Sequence, residues 1–182
     1  MKVLWVTDIW GVHSSQNAEF EQLKSQVEQC ERLDPYAGQP FVFDDEQQAY
    51  DYFQCRCSAP GYAELLRKWL EKHNEPVILL GFSAGANAIA STLTNHPFPQ
   101  VVGTILIYGN RLPELQSPLT QPSHLLLCNQ DSGVNEWQPQ WPAQLQHSSL
   151  GHGFMNPRCP NFDQAGAASA WSWVAETIKA LA

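Results

Sequence analysis

The chain has 182 residues, 43% of them hydrophobic and 15% charged, which is enough for one globular domain with a sizeable core. Its formal net charge of -8 argues against nucleic-acid binding and against docking on anionic membranes, because an acidic surface repels phosphate groups. We therefore expect a single domain over residues 1–182.

The N-terminal apolar run and the cysteines bear on location. Residues 1–6 form one short apolar stretch that breaks at Asp8, too short for the core of a signal peptide. No stretch approaches the roughly 20 apolar residues that span a bilayer. The five cysteines are an odd number and are interpreted as reduced thiols. These features predict a cytoplasmic protein.

Apolar runs alternate with helical patterns along the chain. A strand is predicted over residues 3–7, and a helix over residues 17–33 because Phe20, Leu23 and Val27 recur at helical spacing. The remaining predicted elements are a short strand over 41–43, a helix starting at 58–60 and ending before 74, a strand over 77–80, a helix over 84–94, strands over 101–108, 125–128 and 144–149, and a helix over 164–181. About six strands and four or five helices predict a doubly wound α/β fold with a mostly parallel sheet. Residues 111–123 and 131–142 are predicted loops at the carboxyl end of that sheet, where binding sites form.

The stretch Gly81–Gly85 reads Gly-x-Ser-x-Gly between a buried strand and a helix of small residues. This is the pattern of a nucleophile elbow, a sharp strand-to-helix turn that exposes one serine hydroxyl. Glycine is needed there because the turn is strained and because the strand and the helix pass closely. Ser83 is therefore the predicted nucleophile.

A serine nucleophile needs a base, and the base needs an acid that orients it. Asp131 follows the strand over 125–128, and His152 follows the last predicted strand, so serine, acid and histidine occur in the order found in doubly wound hydrolases. His152 is the only histidine flanked by glycines. Glu136 and Glu114 stay open as alternative acids.

Backbone amides are expected to stabilise the oxyanion of such a reaction. Ala84 directly follows the nucleophile, and Ile9 lies in the turn after the first strand. An apolar acyl pocket is predicted from the aromatic residues near these positions, namely Trp10, Phe82, Tyr108, Trp137 and Phe154. No cofactor or metal is expected, because dinucleotide, phosphate-loop and zinc-ligand patterns are absent.

With these residues placed, the chain resembles the α/β-hydrolase superfamily, and within it the dienelactone hydrolase-like group. The resemblance covers nearly the whole chain and rests on residues 8–11, the elbow, Tyr108-Gly109, Asp131 and residues 151–154. It implies an acyl-enzyme mechanism in which Ser83 attacks an ester-like carbonyl, His152 transfers the proton and Asp131 holds the imidazole.

The chain also departs from dienelactone hydrolases proper. They have cysteine at the position of Ser83, glutamate at that of Asp8, and arginine at that of Asn156, with Arg158 nearby in this chain. The chain is equally similar to the small stand-alone serine hydrolases of the superfamily. A serine hydrolase for a small ester, lactone or thioester is the leading hypothesis. A non-catalytic binding or regulatory protein and an acyltransferase with the same triad are the alternatives.

Overall fold

The structure, a computed structural model, describes residues 1–182. Its centre is a six-stranded sheet in which all neighbouring strands are parallel, in the order β2-β1-β3-β4-β5-β6. The strands are β1 (Lys2–Val6), β2 (Gln29–Leu33), β3 (Val77–Phe82), β4 (Val101–Ile107), β5 (Ser123–Cys128) and β6 (Ala143–Ser148). The helices are α1 (Asn17–Lys24), α2 (Glu46–Arg56), α3 (Ser58–Lys72), α4 (Ala84–Asn95) and α5 (Gln164–Leu181). None of these helices combines the length and the apolar character that crossing a membrane requires.

The sheet separates two hydrophobic cores, because successive residues of a strand point to opposite faces. On one face, Leu4 and Leu79 pack with side chains of α2, α3 and α4. On the other face, Trp5 and Leu80 pack with α1 and α5. The predicted doubly wound α/β fold is confirmed, and β3 is buried along its whole length, as expected of a central parallel strand.

The predicted helix over residues 17–33 is wrong in its second half. Helix α1 ends at Lys24, and residues 29–33 form β2, which pairs with β1 in the register Val3–Cys30. The apolar pattern of this segment is compatible with either a helix or a strand. Its residues Val27 and Cys30 pack on the α5 side of the sheet. Residues 29–33 become a strand rather than a helix because the buried backbone groups at the free edge of β1 need hydrogen-bond partners.

The predicted strand over residues 41–43 is also wrong, and helix α2 was not predicted. Phe41 and Phe43 lie in an irregular segment, where Phe41 packs against Tyr52 of α2 at 4.7 Å between ring centroids. Helix α2 is capped at its N-terminus by Asp45, whose carboxylate accepts a hydrogen bond from the amide of Gln48 at 2.8 Å. The number of strands was predicted correctly, but β2 takes the place of the strand expected at 41–43.

Candidate active site

Ser83 occupies the sharp turn between β3 and α4. Its backbone lies in a region that side chains rarely adopt, at φ 49° and ψ -112°, and its amide donates to the carbonyl of Ile107 at 2.9 Å. A Cβ on Gly85 would lie 2.2 Å from the carbonyl oxygen of Val6, and one on Gly81 would lie 2.8 Å from the amide nitrogen of Ala86. Both glycines are required by close approach of backbone to backbone. The turn directs Ser83 to the carboxyl edge of the sheet.

The structure brings the predicted serine, histidine and aspartate into one hydrogen-bonded chain. The distance from Ser83 Oγ to His152 Nε2 is 2.8 Å, and that from His152 Nδ1 to Asp131 Oδ2 is 2.8 Å. The His152 and Asp131 side chains are 22% and 11% exposed. The carbonyl of His152 accepts a hydrogen bond from Asn161 Nδ2 at 2.9 Å, which fixes the loop that carries the imidazole.

The two alternative acids take other positions. Glu114 accepts two hydrogen bonds from Arg111, and Glu136 is exposed to solvent. Neither hydrogen-bonds His152. Asp131 is therefore the carboxylate that is hydrogen-bonded to this imidazole in the structure.

The two predicted oxyanion donors line the same cavity as Ser83 and His152. Ala84 is the first residue of α4, so its amide has no acceptor within the helix. The amide of Ile9 makes no hydrogen bond within the protein. The turn that contains Ile9 is held by Tyr36, whose hydroxyl donates to the Ile9 carbonyl at 2.6 Å. Both amides are thus free to bind a negatively charged oxygen.

The predicted aromatic acyl pocket is not found. All but one of the predicted residues lie in the two cores and are at most 5% exposed, namely Trp10, Phe82, Tyr108 and Phe154. Trp137 does not line the cavity and packs against Trp141, with 5.6 Å between the ring centroids. The sequence gives their hydrophobicity but not the direction of their side chains. Tyr108 instead lies behind the imidazole, with its ring 5.2 Å from that of His152.

The cavity next to Ser83 has a volume of about 620 Å³ and a wall of both polar and apolar residues. Helix α2 contributes Glu46, Gln47, Tyr50, Phe53 and Gln54, and the wall also includes Ala59, Asn87, Asn110 and Arg111. Sequence reasoning missed the five residues of α2 because it missed that helix. The Asp45–Gln48 pair that caps this helix was the available signal.

Asp8 is a buried carboxylate between two loops of the site. Its Oδ1 accepts from the amide of Trp10 at 3.0 Å, and its Oδ2 accepts from Asn156 Nδ2 at 2.7 Å. Burial raises the pKa of Asp8 to about 6, although hydrogen bonds from Asn156 and Trp10 and the nearby His152 act to lower it. Asn156 therefore connects the segment that follows His152 to the turn that contains Ile9. Arg158 does not line the cavity.

Comparison with solved structures shows that the chain has the α/β-hydrolase fold. It is similar to a dienelactone hydrolase-like promiscuous phosphotriesterase from metagenomic libraries, with a TM-score of 0.72, 14% identity, and coverage of 99% of this chain and 86% of that one. It is similar to mouse alpha/beta hydrolase domain-containing protein 10, with a TM-score of 0.68, 13% identity, and coverage of 100% and 90%. It is also similar to a proposed dienelactone hydrolase from Klebsiella pneumoniae, with a TM-score of 0.66, 18% identity, and coverage of 95% and 84%.

These neighbours confirm the predicted structural resemblance to dienelactone hydrolase-like proteins. No protein-family model matches the chain, and a search of curated proteins gave no match.

Proposed function

We propose that the protein is a serine hydrolase that cleaves a small carboxylic ester, lactone or thioester through an acyl-enzyme on Ser83. The observation that carries this proposal is the chain of two 2.8 Å hydrogen bonds from Ser83 through His152 to Asp131. It lies at the carboxyl edge of a parallel sheet, beside a cavity and two free amides. The structural neighbours that are named as hydrolases also support hydrolase activity.

The geometry supports the following first half-reaction. Ser83 Oγ forms a bond to the carbonyl carbon of the substrate while its proton passes to His152 Nε2. Asp131 accepts the hydrogen bond from Nδ1 and stabilises the imidazolium. The oxyanion of the tetrahedral intermediate binds the amides of Ile9 and Ala84, each worth a factor of about 10² to 10³ in rate.

The intermediate collapses when the bond from carbon to the leaving oxygen or sulfur breaks, and His152 gives its proton to that leaving group. Water then enters from the cavity, loses a proton to His152 Nε2, and attacks the acyl carbon. The carboxylic acid is released and Ser83 regains its proton, so the enzyme is unchanged.

Covalent labelling tests the proposal. A fluorophosphonate probe should modify the native protein but not Ser83→Ala, and p-nitrophenyl acetate should be hydrolysed only by the native protein. Ser132→Ala is the matched control, because Ser132 is an exposed serine outside the cavity wall. Equal labelling of native protein and Ser83→Ala, with no ester cleavage by either, would refute the proposal.

The same experiment separates the alternatives. A non-catalytic binding protein would give no labelling at Ser83, whereas the 2.8 Å contact of Ser83 with His152 favours an activated hydroxyl. Acyl transfer would appear as ester formation when a simple alcohol is added with the substrate. We expect hydrolysis as the main reaction.

A further inference from the structure

The wall of the cavity that faces Ser83 contains polar groups that ester hydrolysis itself does not use. Helix α2 places Glu46, Tyr50 and Gln54 on this wall, and the segment after β4 adds Asn110. In the structure, Glu46, Tyr50 and Gln54 make no side-chain hydrogen bond within the protein. The side-chain Nδ2 of Asn110 also has no acceptor. Only the Oδ1 of this side chain is hydrogen-bonded, and it accepts from Asn87 Nδ2 at 3.1 Å.

These free groups offer both donors and acceptors. The carboxylate of Glu46 accepts, the nitrogen of Asn110 donates, and the Tyr50 hydroxyl and the Gln54 amide do both. An alcohol hydroxyl is also both donor and acceptor. The wall therefore has the hydrogen-bonding character that several neighbouring hydroxyl groups would satisfy.

The charges of the wall do not suit an anionic substrate. Arg111 is the only cation that lines the cavity, and its Nε and Nη2 both donate to Glu114 Oε2, at 2.9 and 2.8 Å. Glu46 adds an unpaired negative charge, and the whole chain carries a formal charge of -8. A carboxylate or phosphate group on the substrate would meet repulsion here.

One aromatic ring of the wall is exposed. The Tyr50 side chain is 48% exposed although it is large and apolar over most of its area, and Phe53 lies one turn further along α2. Such a ring provides a flat surface for the C–H face of a sugar or a similar ring. The apolar side chains of Ile9 and Ala84 adjoin the oxyanion amides, where a short acyl chain would lie.

We propose that the substrate is the ester of a short-chain acid with a neutral, hydroxyl-rich alcohol such as a sugar, and that Tyr50 and Gln54 determine this specificity. The proposal rests on the serine-hydrolase activity proposed above. The acyl carbon–oxygen bond breaks, the sugar oxygen leaves with the proton from His152, and water releases the short acid from Ser83.

The test compares two acetate esters of primary alcohols on six-membered rings, of which only one carries hydroxyl groups. These are methyl 6-O-acetyl-glucoside and cyclohexylmethyl acetate, with acetate release measured for both. The native protein should have a kcat/KM for the sugar ester at least about tenfold above that for the hydroxyl-free ester, because a site built for hydroxyl groups rejects an analogue that lacks them.

Substitutions on α2 should change this ratio. Gln54→Leu and Tyr50→Ala should each lower the ratio about tenfold, the free-energy equivalent of about 1.4 kcal/mol. Cys55→Leu is the matched control on the same helix, since Cys55 is exposed and does not line the cavity, and it should keep the native ratio.

The outcomes distinguish this proposal from the hydrolase proposal. If the native protein reacts with the fluorophosphonate probe but does not prefer the sugar ester, the substrate class is wrong and the hydrolase stands. A preference that survives both α2 substitutions refutes the assignment of Tyr50 and Gln54. If the probe does not react and neither ester is cleaved, both proposals fail.

Discussion

The buried carboxylate of Asp8 should make the stability of the protein depend on pH in an unusual direction. Its side chain is 4% exposed, and burial raises its pKa from the ordinary 3.8 to about 6. The folded protein therefore holds this proton more tightly than the unfolded chain does. Between about pH 4 and pH 6 the folded state binds more protons at this site, so its contribution to stability decreases as the pH rises.

The size of the effect follows from the same two values. A rise from 3.8 to about 6 corresponds to a cost of about 3 kcal/mol when Asp8 is charged, above about pH 7. At about pH 4.5 roughly 1 kcal/mol of this cost is already present, because the unfolded carboxylate is then mostly ionised. The cost should therefore grow by about 2 kcal/mol between about pH 4.5 and pH 7.5.

Replacement of Asp8 by Asn isolates this contribution. Urea unfolding of native protein and Asp8→Asn at the two pH values gives the difference in free energy of unfolding at each. This difference should shift by about 2 kcal/mol in favour of the variant at the higher pH. Other titrating groups, such as His13 and His124 with their lowered pKa values, are present in both proteins and cancel to first order.

A control separates the buried charge from charge loss in general. Asp44→Asn removes an exposed carboxylate and should leave the difference from the native protein nearly constant with pH. The reasoning is refuted if the Asp8→Asn difference stays constant within about 0.5 kcal/mol, a limit set by the precision of such comparisons. A shift in the opposite direction would refute it as well.

Three further predictions follow from single contacts. Gly85→Ala should cost at least about 3 kcal/mol in urea unfolding because its Cβ meets backbone atoms at 2.2 Å, whereas Gly38→Ala, which meets no atom within 4 Å but has a φ of 76°, should cost only about 1 kcal/mol. Asp131→Asn should lower kcat by about 10⁴ without a comparable loss of stability, whereas Glu136→Gln should keep native kcat. Tyr62→Phe should cost about 1 to 3 kcal/mol, since its buried hydroxyl lies 3.0 and 2.9 Å from two backbone carbonyl oxygens at the ends of β1 and β2; an unchanged urea midpoint would contradict this.

The central part of the fold was predictable because its strands are buried on both faces. Continuous apolar runs mark β3, β4 and β5, and the segments that follow them must lie at one edge of the sheet. The sequence also contained the backbone requirement of the elbow, since Gly81 and Gly85 leave no room for a side chain. These two constraints were sufficient to predict that Ser83 and the loops of Asp131 and His152 would meet.

The parts that could not be predicted depend on partners far away in the sequence. Strand β2 is polar and half-exposed, and it becomes a strand because β1 offers an unpaired edge. Helix α2 buries only Ala49 and Phe53, so its apolar pattern is too sparse to indicate a helix. The direction of a core aromatic side chain such as Phe82 depends on strand register, which hydrophobicity alone does not give.

The same contrast has a consequence for function. The hydrogen-bonded chain of Ser83, His152 and Asp131 is held by the order and register of the central strands, which the two cores stabilise. Much of the cavity wall is held by α2, which places only Ala49 and Phe53 in the core. Substitutions on the exposed positions of α2 therefore change what the cavity binds at small cost in stability, while the reacting groups stay in place. We therefore propose that the chemistry depends on the sheet and that substrate selection depends on a helix with only two side chains, Ala49 and Phe53, in the core.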